Sequence, residues 1–408
     1  MDAAFRWVEG QHDAMRSWVE EWAAINSGSL NAPGITEVAR AVAASSLFQS
    51  LGGQAEWCEL PAFESIDDRG EATCFAPAPA LVLRKRPGAK RRVLLAIHLD
   101  TVFAPDDPFQ HVTELDDRTL GGPGVADAKG GVVLLLTALA ALERSAADAG
   151  LGWTVVLNPD EEIGSPCSAA LLGRLAGEAD FGLVFEPSLP DGSLIRKRKG
   201  SGNFTLVVRG KAAHVGRAFA EGRHAIHALS DMIERVARFN DMGVIANTGF
   251  VAGGGAVNVV PEFALARVNL RVDDGAQQKE VEERLTACAA EIEARRGVSI
   301  MIHGGFQSPP KLQDEAMEML MREVETAGSE VGVDVGWKTS GGVCDGNKLA
   351  AAGLPNVDTL GPQGGHIHSA REYLLLDSLV PRTQLCAAIL GRTAAGIFIP
   401  DFGARKQR

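Results

Sequence analysis

The sequence lacks three features that would each indicate a different class of protein. It has no Cys-x-x-Cys pair and no apolar run near the roughly 18 residues that cross a membrane. It also has no excess of positive charge, because the formal net charge is −12. A nucleic acid or an anionic membrane is therefore not an expected partner. The start of the chain has no basic region followed by an apolar core, so we expect no secretion signal.

The cysteines are few and far apart in the sequence. They stand at six positions, Cys58, Cys74, Cys167, Cys288, Cys344 and Cys386. Such spacing argues against a disulfide scaffold or a thiolate zinc site and predicts reduced thiols. We therefore expect a cytoplasmic protein.

Strand-like and helix-like patterns alternate through the first half of the chain. The predicted strands cover 93–99, 153–157 and 181–185, and the predicted helices cover 129–144 and 168–175. This alternation predicts an α/β fold, a mixed sheet flanked by helices, whose ligands bind beyond the carboxyl ends of the strands. Acidic residues follow each of these strands, at Asp100, at 160–162 and at Glu186.

The pattern changes after the basic run 196–199, which we interpret as a solvated hinge. Strands are predicted over 203–209, 245–251, 262–272 and 298–303, with helices over 223–239 and 277–295. This β-α-β-β-α-β order is the ferredoxin-like unit of α+β proteins. Helices over 314–327 and 377–397 then resume the α/β rhythm. We predict one α/β domain built from residues 1–199 and 306–408, with residues 200–305 inserted as a second domain.

The first candidate site residues are His98 and Asp100, at the end of a buried strand. Side chains two residues apart on a strand share a face. An imidazole there can bind a metal ion while the nearby carboxylate fixes its tautomer.

A glycine-rich segment, GGPGVADAKGG over 121–131, places Asp127 before a helix. A dinucleotide site is one alternative, although the carboxylate would repel a phosphate. Asp127 could also be an ordinary helix N-cap. Its position between the other clusters favours a metal ligand.

Three more clusters complete the set. Glu161 and Glu162 are adjacent, so one can bind a metal ion while the other moves a proton, although a solvated acidic turn is the simpler interpretation. Glu186 ends another strand, and the loop GGHIHS carries His366 and His368. Imidazole and carboxylate ligands together suit zinc and similar divalent ions.

Taken together, these motifs resemble those of the M20-type zinc peptidases, which include glutamate carboxypeptidase, acetylornithine deacetylase and succinyl-diaminopimelate desuccinylase. The resemblance spans the chain from about residue 20, and HLDTV, NPDEEIGS and FEPS are most similar to the glutamate carboxypeptidase branch. It implies two metal ions, zinc or alternatively cobalt or manganese. The implied ligands are His98 and Glu186 for one ion and Glu162 and His368 for the other, with Asp127 as the bridge.

The same resemblance assigns further roles. Asp100 would orient His98, Glu161 would be the general base, and the Asp127–Ala128 peptide would be cis. His368 is preferred to His366 because His368 is followed by Ser369 and then by Glu372-Tyr373, which resembles the His-Ser…Glu-Tyr/Trp ending of the family.

In the inserted domain, His214 would stabilise the oxyanion, often from a partner subunit. Asn258 and Arg271 would bind substrate, although Arg271 could also be an ordinary surface arginine. A guanidinium offers two parallel donors to a carboxylate. The loop containing Gly342 would meet the substrate's carboxylate, and Cys344 stands there where relatives have Ser, Thr or Ala.

The resulting hypothesis is a hydrolase that cleaves an amide bond beside a free carboxylate, using water activated by two metal ions. The substrate would be a small peptide or an N-acyl amino acid, and the protein would be a homodimer through its inserted domain. One alternative is an N-acyl amino-acid deacylase. Another, of a different class, is a catalytically silent metal-binding or assembly module.

Overall fold

The computed structural model of the chain describes residues 1–145 and 150–400. Its helices are α1 Asp2–Glu9, α2 His12–Ala23, α3 Ala32–Ala44, α4 Ser46–Ser50, α5 Gly131–Glu143, α6 Ala169–Gly177, α7 Val215–Ala218, α8 Ala225–Ala237, α9 Gly275–Arg296, α10 Glu315–Val331, α11 Asp345–Ala351 and α12 Leu379–Ala394. Its strands are β1 Gln54–Cys58, β2 Phe63–Ile66, β3 Ala72–Phe75, β4 Ala80–Lys85, β5 Arg92–His98, β6 Thr113–Asp116, β7 Thr119–Gly121, β8 Gly152–Asn158, β9 Phe181–Val184, β10 Leu194–Arg198, β11 Gly200–Arg209, β12 Ile245–Gly253, β13 Phe263–Val272, β14 Ser299–Ser308, β15 Trp337–Ser340, β16 Asn356–Val357, β17 Gly364–Gly365 and β18 Tyr373–Leu375.

The largest sheet has six strands in the order β1-β4-β8-β5-β9-β16. Strands β8, β5, β9 and β16 run parallel, whereas β1 and β4 add to one side in antiparallel pairings. In the central strand β5 every residue from Val93 to His98 is buried, as expected for a strand covered on both faces. This mixed sheet confirms the predicted α/β class.

Helix α5 packs beneath this sheet and against α12. Together with the kinked turn Val125–Gly130 it forms the stretch Val125–Glu143, which is long and apolar enough to span a membrane by length and composition alone. The whole stretch is buried inside the fold. It is therefore the central helix of the protein core.

The inserted unit has the predicted β-α-β-β-α-β order. Its antiparallel sheet runs β12-β13-β11-β14, and α8 and α9 cover one face. Residues such as Leu206, Leu229 and Leu285 form a hydrophobic core separate from that of the large sheet. The boundaries at residues 199 and 305 stay a prediction, since β14 runs on to Ser308. Residues 401–408 of the predicted last segment lie outside the described residues.

Several elements were not predicted from the sequence. They are the N-terminal helices α1 to α4, the hairpin β2–β3 and the small sheet β17-β18-β7-β6. The hairpin leaves the large domain and reaches the inserted sheet, where Arg267 pairs with Asp68 at 2.7 Å.

The interpretation of 196–199 as a solvated hinge is wrong for Arg198, which is buried at the end of β10. Its guanidinium donates two hydrogen bonds to Asp358, at 2.8 and 3.0 Å, and Lys311 donates a third at 2.7 Å. Lys311 and Asp358 are fully buried. Burial opposes ionisation of Asp358, yet its two cationic partners hold the pKa of the carboxyl well below its ordinary value.

We predict that Asp358→Asn lowers the free energy of unfolding by about 3 kcal/mol, because it leaves two buried cations without their counter-charge. The contribution of a carboxylate with a lowered pKa is fully present at neutral pH and declines as the pH falls. The deficit of the variant should therefore shrink below about pH 4. Urea denaturation at several pH values measures this.

The matched control is Asp191→Asn, because Asp191 pairs with Lys338 at an exposed position. Exposed pairs contribute little, so this variant should unfold like the parent chain. Equal midpoints for the Asp358 and Asp191 variants at pH 7 would contradict the stabilising role of the buried triad.

Candidate metal centre and active site

The candidate ligands come from five separate segments that meet at the carboxyl ends of the parallel strands. His98 is the last residue of β5, and Glu186 follows β9. Glu162 lies in the turn Glu161–Ile163 after β8. Asp127 lies in the kinked turn Val125–Gly130, and His368 lies in the loop between β17 and β18. Parallel strands bring their carboxyl ends to one edge, which explains the convergence.

Asp127 lies between two imidazole–carboxylate pairs. Its Oδ1 is 3.1 Å from His98 Nε2, and that nitrogen is 3.6 Å from Glu186 Oε2. Its Oδ2 is 3.3 Å from His368 Nε2, which is 3.0 Å from Glu162 Oε2. The structure thus brings together all five residues predicted as metal ligands. His366 instead stacks edge-on against Tyr373, with ring centroids 5.8 Å apart.

The two histidines are strongly basic in this arrangement. Burial acts to lower the pKa of His98, yet the carboxylates of Glu186 and Asp100 raise it well above its ordinary value. Hydrogen bonds to Asp127 and Glu162 raise the pKa of His368 to about 11. Each imidazole therefore lies where positive charge is strongly favoured.

The carboxylates respond to burial and to one another. Burial opposes ionisation of Asp127, but the two histidines hold its pKa well below the ordinary value. Burial and the charge of Asp127 raise the pKa of Glu162 to about 7. Burial and Glu186 raise the pKa of Glu161 well above its ordinary value. The centre thus concentrates more negative charge than its own side chains neutralise.

Asp100 contacts more than His98. Its carboxylate lies 3.3 Å from His98 Nδ1 and accepts a hydrogen bond from Ser29 Oγ at 2.7 Å. It also accepts hydrogen bonds from the backbone N–H groups of Glu161 and Glu162, each at 3.0 Å. One buried carboxylate therefore fixes both the imidazole and the turn that carries the two glutamates.

The backbone around Asp127 is fixed in a similar way by residues that we did not assign to the site. Glu372 accepts hydrogen bonds from the N–H groups of Gly124, Ala126 and Asp127, at 3.0 to 3.2 Å. The buried Lys129 donates to the carbonyl of Leu99 at 2.8 Å. The Asp127–Ala128 peptide is cis, which confirms the expectation drawn from the resemblance. The Glu-Tyr pair after His368 was the sequence signal that could have identified Glu372.

The donor set fits divalent metal ions. Two groups of side chains each place ligand atoms within 4.8 Å of one another, namely His98 with Glu161 and Glu186, and His98 with Asp127 and Glu162. Glu186 Oε1 is buried and has no hydrogen-bond partner among the described residues. Such an oxygen is costly to bury unless a donor or a cation satisfies it. Neutral imidazole and carboxylate are the ligands that zinc-like ions accept.

A cleft of about 410 Å³ opens beside this centre, and we call it the substrate cleft. Glu161, Glu162 and His368 line one end, and Arg271 and Gly342 line another part. Arg271 is half-buried, and its Nε donates to Asn269 Oδ1 at 3.1 Å. Two of the predicted substrate-binding residues therefore share a cavity with the candidate base and ligands.

The loop after Gly342 turns inward. Cys344 is buried and caps α11, where its sulfur accepts the N–H of Gly346 at 3.3 Å. Asp345 is also buried, and its carboxylate accepts a hydrogen bond from Asn158 Nδ2 at 2.7 Å. The substitution of Cys for Ser, Thr or Ala thus falls at a helix cap, and only Gly342 and Val343 of this loop line the cleft.

His214 and Asn258 lie outside the cleft of their own chain. Both are exposed on the inserted unit, where Val215 N donates to the carbonyl of Asn258 at 3.0 Å. His214 Nδ1 accepts the N–H of Gly216 at 3.1 Å. Their predicted roles stay predictions that require a second subunit.

Comparisons with known proteins agree with this geometry. The model of the family described as Peptidase family M20/M25/M40 matches residues 94–392. Carboxypeptidase G2 of Pseudomonas sp. (strain RS-16) is 30% identical over 329 residues, which cover 78% of this chain and 75% of that protein. A succinyl-diaminopimelate desuccinylase of Cereibacter sphaeroides is 27% identical over 75% of this chain and 84% of its own length.

Solved structures show the same fold. A metallo-carboxypeptidase of the M20 family from Sulfolobus solfataricus has a TM-score of 0.73 at 16% identity, covering 93% of this chain and 99% of that one. A Bacillus subtilis M20 protein, described as a dinuclear metal binding peptidase, has a TM-score of 0.64 at 14% identity, covering 94% of this chain and 98% of that one. The chain therefore belongs to the M20 family of metal-dependent peptidases and amidohydrolases, which act on C–N bonds.

Proposed function

We propose that this protein hydrolyses an amide bond beside a free carboxylate, as a carboxypeptidase of small peptide-like substrates. The observation that carries the proposal is the position of Asp127. Its two carboxylate oxygens face two separate imidazole–carboxylate pairs, next to a cleft that contains an arginine. The similarity to carboxypeptidase G2 supports the same bond type.

His98 and Glu186 would hold one metal ion and Glu162 and His368 a second, with Asp127 shared between them. Zinc is the ion that we propose, with cobalt or manganese as alternatives. Ions held there would polarise the scissile carbonyl and make a water molecule more acidic. The buried Glu186 Oε1 supports this assignment, because it offers an oxygen that no described donor satisfies.

Glu161 is the proposed general base. It lies in the cleft, and its backbone is fixed by Asp100, while Glu162 is engaged by His368. Its carboxylate would take a proton from the attacking water and deliver it to the departing amine. Arg271 would hold the substrate carboxylate through two parallel donors, beside the backbone of Gly342.

A homodimer is the proposed assembly, formed through the inserted unit. Strand β12 is at the edge of its sheet, and apolar side chains near His214 are exposed, including Phe219 and the fully exposed Val257. Exposed apolar groups beside an open strand edge are typical of an interface. His214 and Asn258 would then reach the cleft of the partner subunit.

A second candidate function is N-acyl amino-acid deacylation, favoured by the similarity to the desuccinylase. Both reactions cleave an amide next to a carboxylate, so they require the same centre. Parallel assays with dipeptides and with N-acyl amino acids separate them. A cytoplasmic location is part of the proposal, and the six free cysteines are consistent with it.

We predict that Glu161→Gln lowers kcat by at least about 100-fold, because the proton acceptor is lost. Metal content, measured by mass spectrometry of the purified protein, should be unchanged. Glu178→Gln, which alters an exposed glutamate at the end of α6, is the control and should retain full activity. Near-normal turnover by the Glu161 variant would remove that residue from the mechanism.

We predict that Asp100→Asn weakens Zn²⁺ binding by about 10- to 100-fold, because an amide cannot accept all four donors. Competition with a chromogenic chelator measures the affinity. Ser29→Ala removes only one of those donors and should have a smaller effect. Unchanged affinity in the Asp100 variant would show that this carboxylate does not position the ligands.

Co-expression tests whether His214 acts in the partner subunit. Chains carrying Glu161→Gln and chains carrying His214→Ala should each be inactive as homodimers. Mixed dimers would hold one intact site, which restores about a quarter of the activity if pairing is random. Activity no higher than that of the separate variants would place His214 in the cleft of its own chain or outside the reaction.

A further inference from the structure

The hairpin β2–β3 lies over the face of the inserted sheet that α8 and α9 leave uncovered. Arg209 pairs with Glu71 at 2.8 Å, and Arg267 pairs with Asp68 at 2.7 Å and donates to the carbonyl of Ile66 at 3.0 Å. The ion pairs are exposed, and pairs of that kind contribute little to stability. They connect the hairpin to the sheet at two separate points, so the loss of one pair should leave the hairpin in place.

Between hairpin and sheet is a pocket of about 530 Å³, which we call the hairpin pocket. Phe63 and Ile66 line it from the hairpin. Thr205, Arg267 and His303 line it from the sheet. Two parts of the chain that are distant in sequence therefore enclose a volume large enough for part of a small-molecule ligand.

The hairpin pocket adjoins the substrate cleft. Ile163, Asn203, Asn269 and Gln307 line both cavities. Along β13 the residues Arg271, Asn269 and Arg267 share one face, with about 7 Å between successive side chains. A ligand whose carboxylate is near Arg271 can therefore extend into the pocket within two such steps.

The lining contains one acidic and one basic residue, Glu64 and Arg267, so that it favours a neutral group. The charge of Arg267 is already opposed by Asp68, and its guanidinium stacks over Phe250 at 4.8 Å. Asn269 donates to Asn203 Oδ1 at 2.8 Å, and the two amides form an uncharged polar edge. The His303 side chain is half-buried without a hydrogen-bond partner in the described part of the chain. Phe63 and Ile66 supply apolar surface. An aromatic or aliphatic body with polar edges matches this combination.

We infer that the hairpin pocket is a second subsite, which binds a neutral extension of the substrate and makes the enzyme selective for elongated amides. The inference rests on the proposed function, because it takes the carboxylate to be held near Arg271. The extension can belong to the acyl group or to the side chain of the amino acid, and the chemistry of the pocket is the same for both. Phe63 is the residue on which selectivity depends most, since it presents an aromatic face from the hairpin.

Binding of three ligands tests the inference. They are N-acetylalanine, 4-phenylbutyryl-alanine and N-acetyl-homophenylalanine, titrated calorimetrically into the metal-loaded full chain carrying Glu161→Gln to prevent turnover. One extended ligand should bind about 10-fold more tightly than N-acetylalanine, the range expected for a small apolar group in a pocket. Which of the two does so identifies the side of the scissile bond that enters the pocket.

Phe63→Ala should remove the tighter binding of the extended ligand and leave the affinity for N-acetylalanine unchanged. Ile66→Ala, on the same strand, should reduce the tighter binding of the extended ligand. Glu71→Gln is the matched control, because it alters the hairpin outside the pocket and should preserve the tighter binding. The inference would be overturned if neither extended ligand binds more tightly than N-acetylalanine, or if the tighter binding persists in Phe63→Ala. It would also be overturned if Phe63→Ala weakens the binding of all three ligands equally. If Glu71→Gln removes the tighter binding as completely as Phe63→Ala does, the inference is also overturned, because the hairpin then only holds the two domains together.

Hydrolysis by the unsubstituted chain is measured in parallel with the same compounds. Selective binding without hydrolysis of these compounds, together with no hydrolysis in the dipeptide assay, would contradict the proposed function and leave the pocket as a binding site. Hydrolysis of all three compounds without selectivity would contradict the subsite and leave the proposed function intact.

Discussion

The carboxylate of Asp100 is the contact on which the geometry of the centre depends. It is fully buried and interacts with four donors, the ring of His98, the hydroxyl of Ser29 and the N–H groups of Glu161 and Glu162. A buried carboxylate with fewer partners would be costly. Because the donors come from three segments, one interaction sets the distance between β5 and the turn after β8. The imidazole and both glutamates are thereby placed together before any ligand binds.

The same logic explains why so many acidic groups can share a small volume. Burial and like charges at short distance raise the pKa of a carboxyl group, as burial and Glu186 do for Glu161 and burial and Asp127 do for Glu162. The fold holds these groups in place through the backbone, with Glu372 fixing the turn of Asp127 and Lys129 fixing the end of β5. Their unmet negative charge is then available to a cation.

Much of the fold and the centre follows from local sequence, and the rest does not. Apolar runs such as 93–99 and the acidic residues after them are local signals, so the strands and the acidic clusters at their ends could be predicted. The choice of the five ligands came from the family resemblance. Arg198 could not, since only the fold shows that Asp358 and Lys311 meet it in the core. The hairpin β2–β3 is short and mostly exposed, without a strong alternating pattern, and its partner Arg267 is distant in sequence.

In the proposed function, chemistry and recognition come from different parts of the chain. The large domain supplies the residues that would act on the amide bond, from the ends of β5, β8 and β9 and from two turns beside them. The inserted sheet presents Arg271, Asn269 and Arg267 in a row, on the face that α8 and α9 leave uncovered. Changes along that row, or in the hairpin above it, would alter which substrate fits without disturbing Asp100 or its partners. One centre of this kind can thus serve many substrates, because the residues that would select the substrate belong to other segments than the residues that would hold the metal ions.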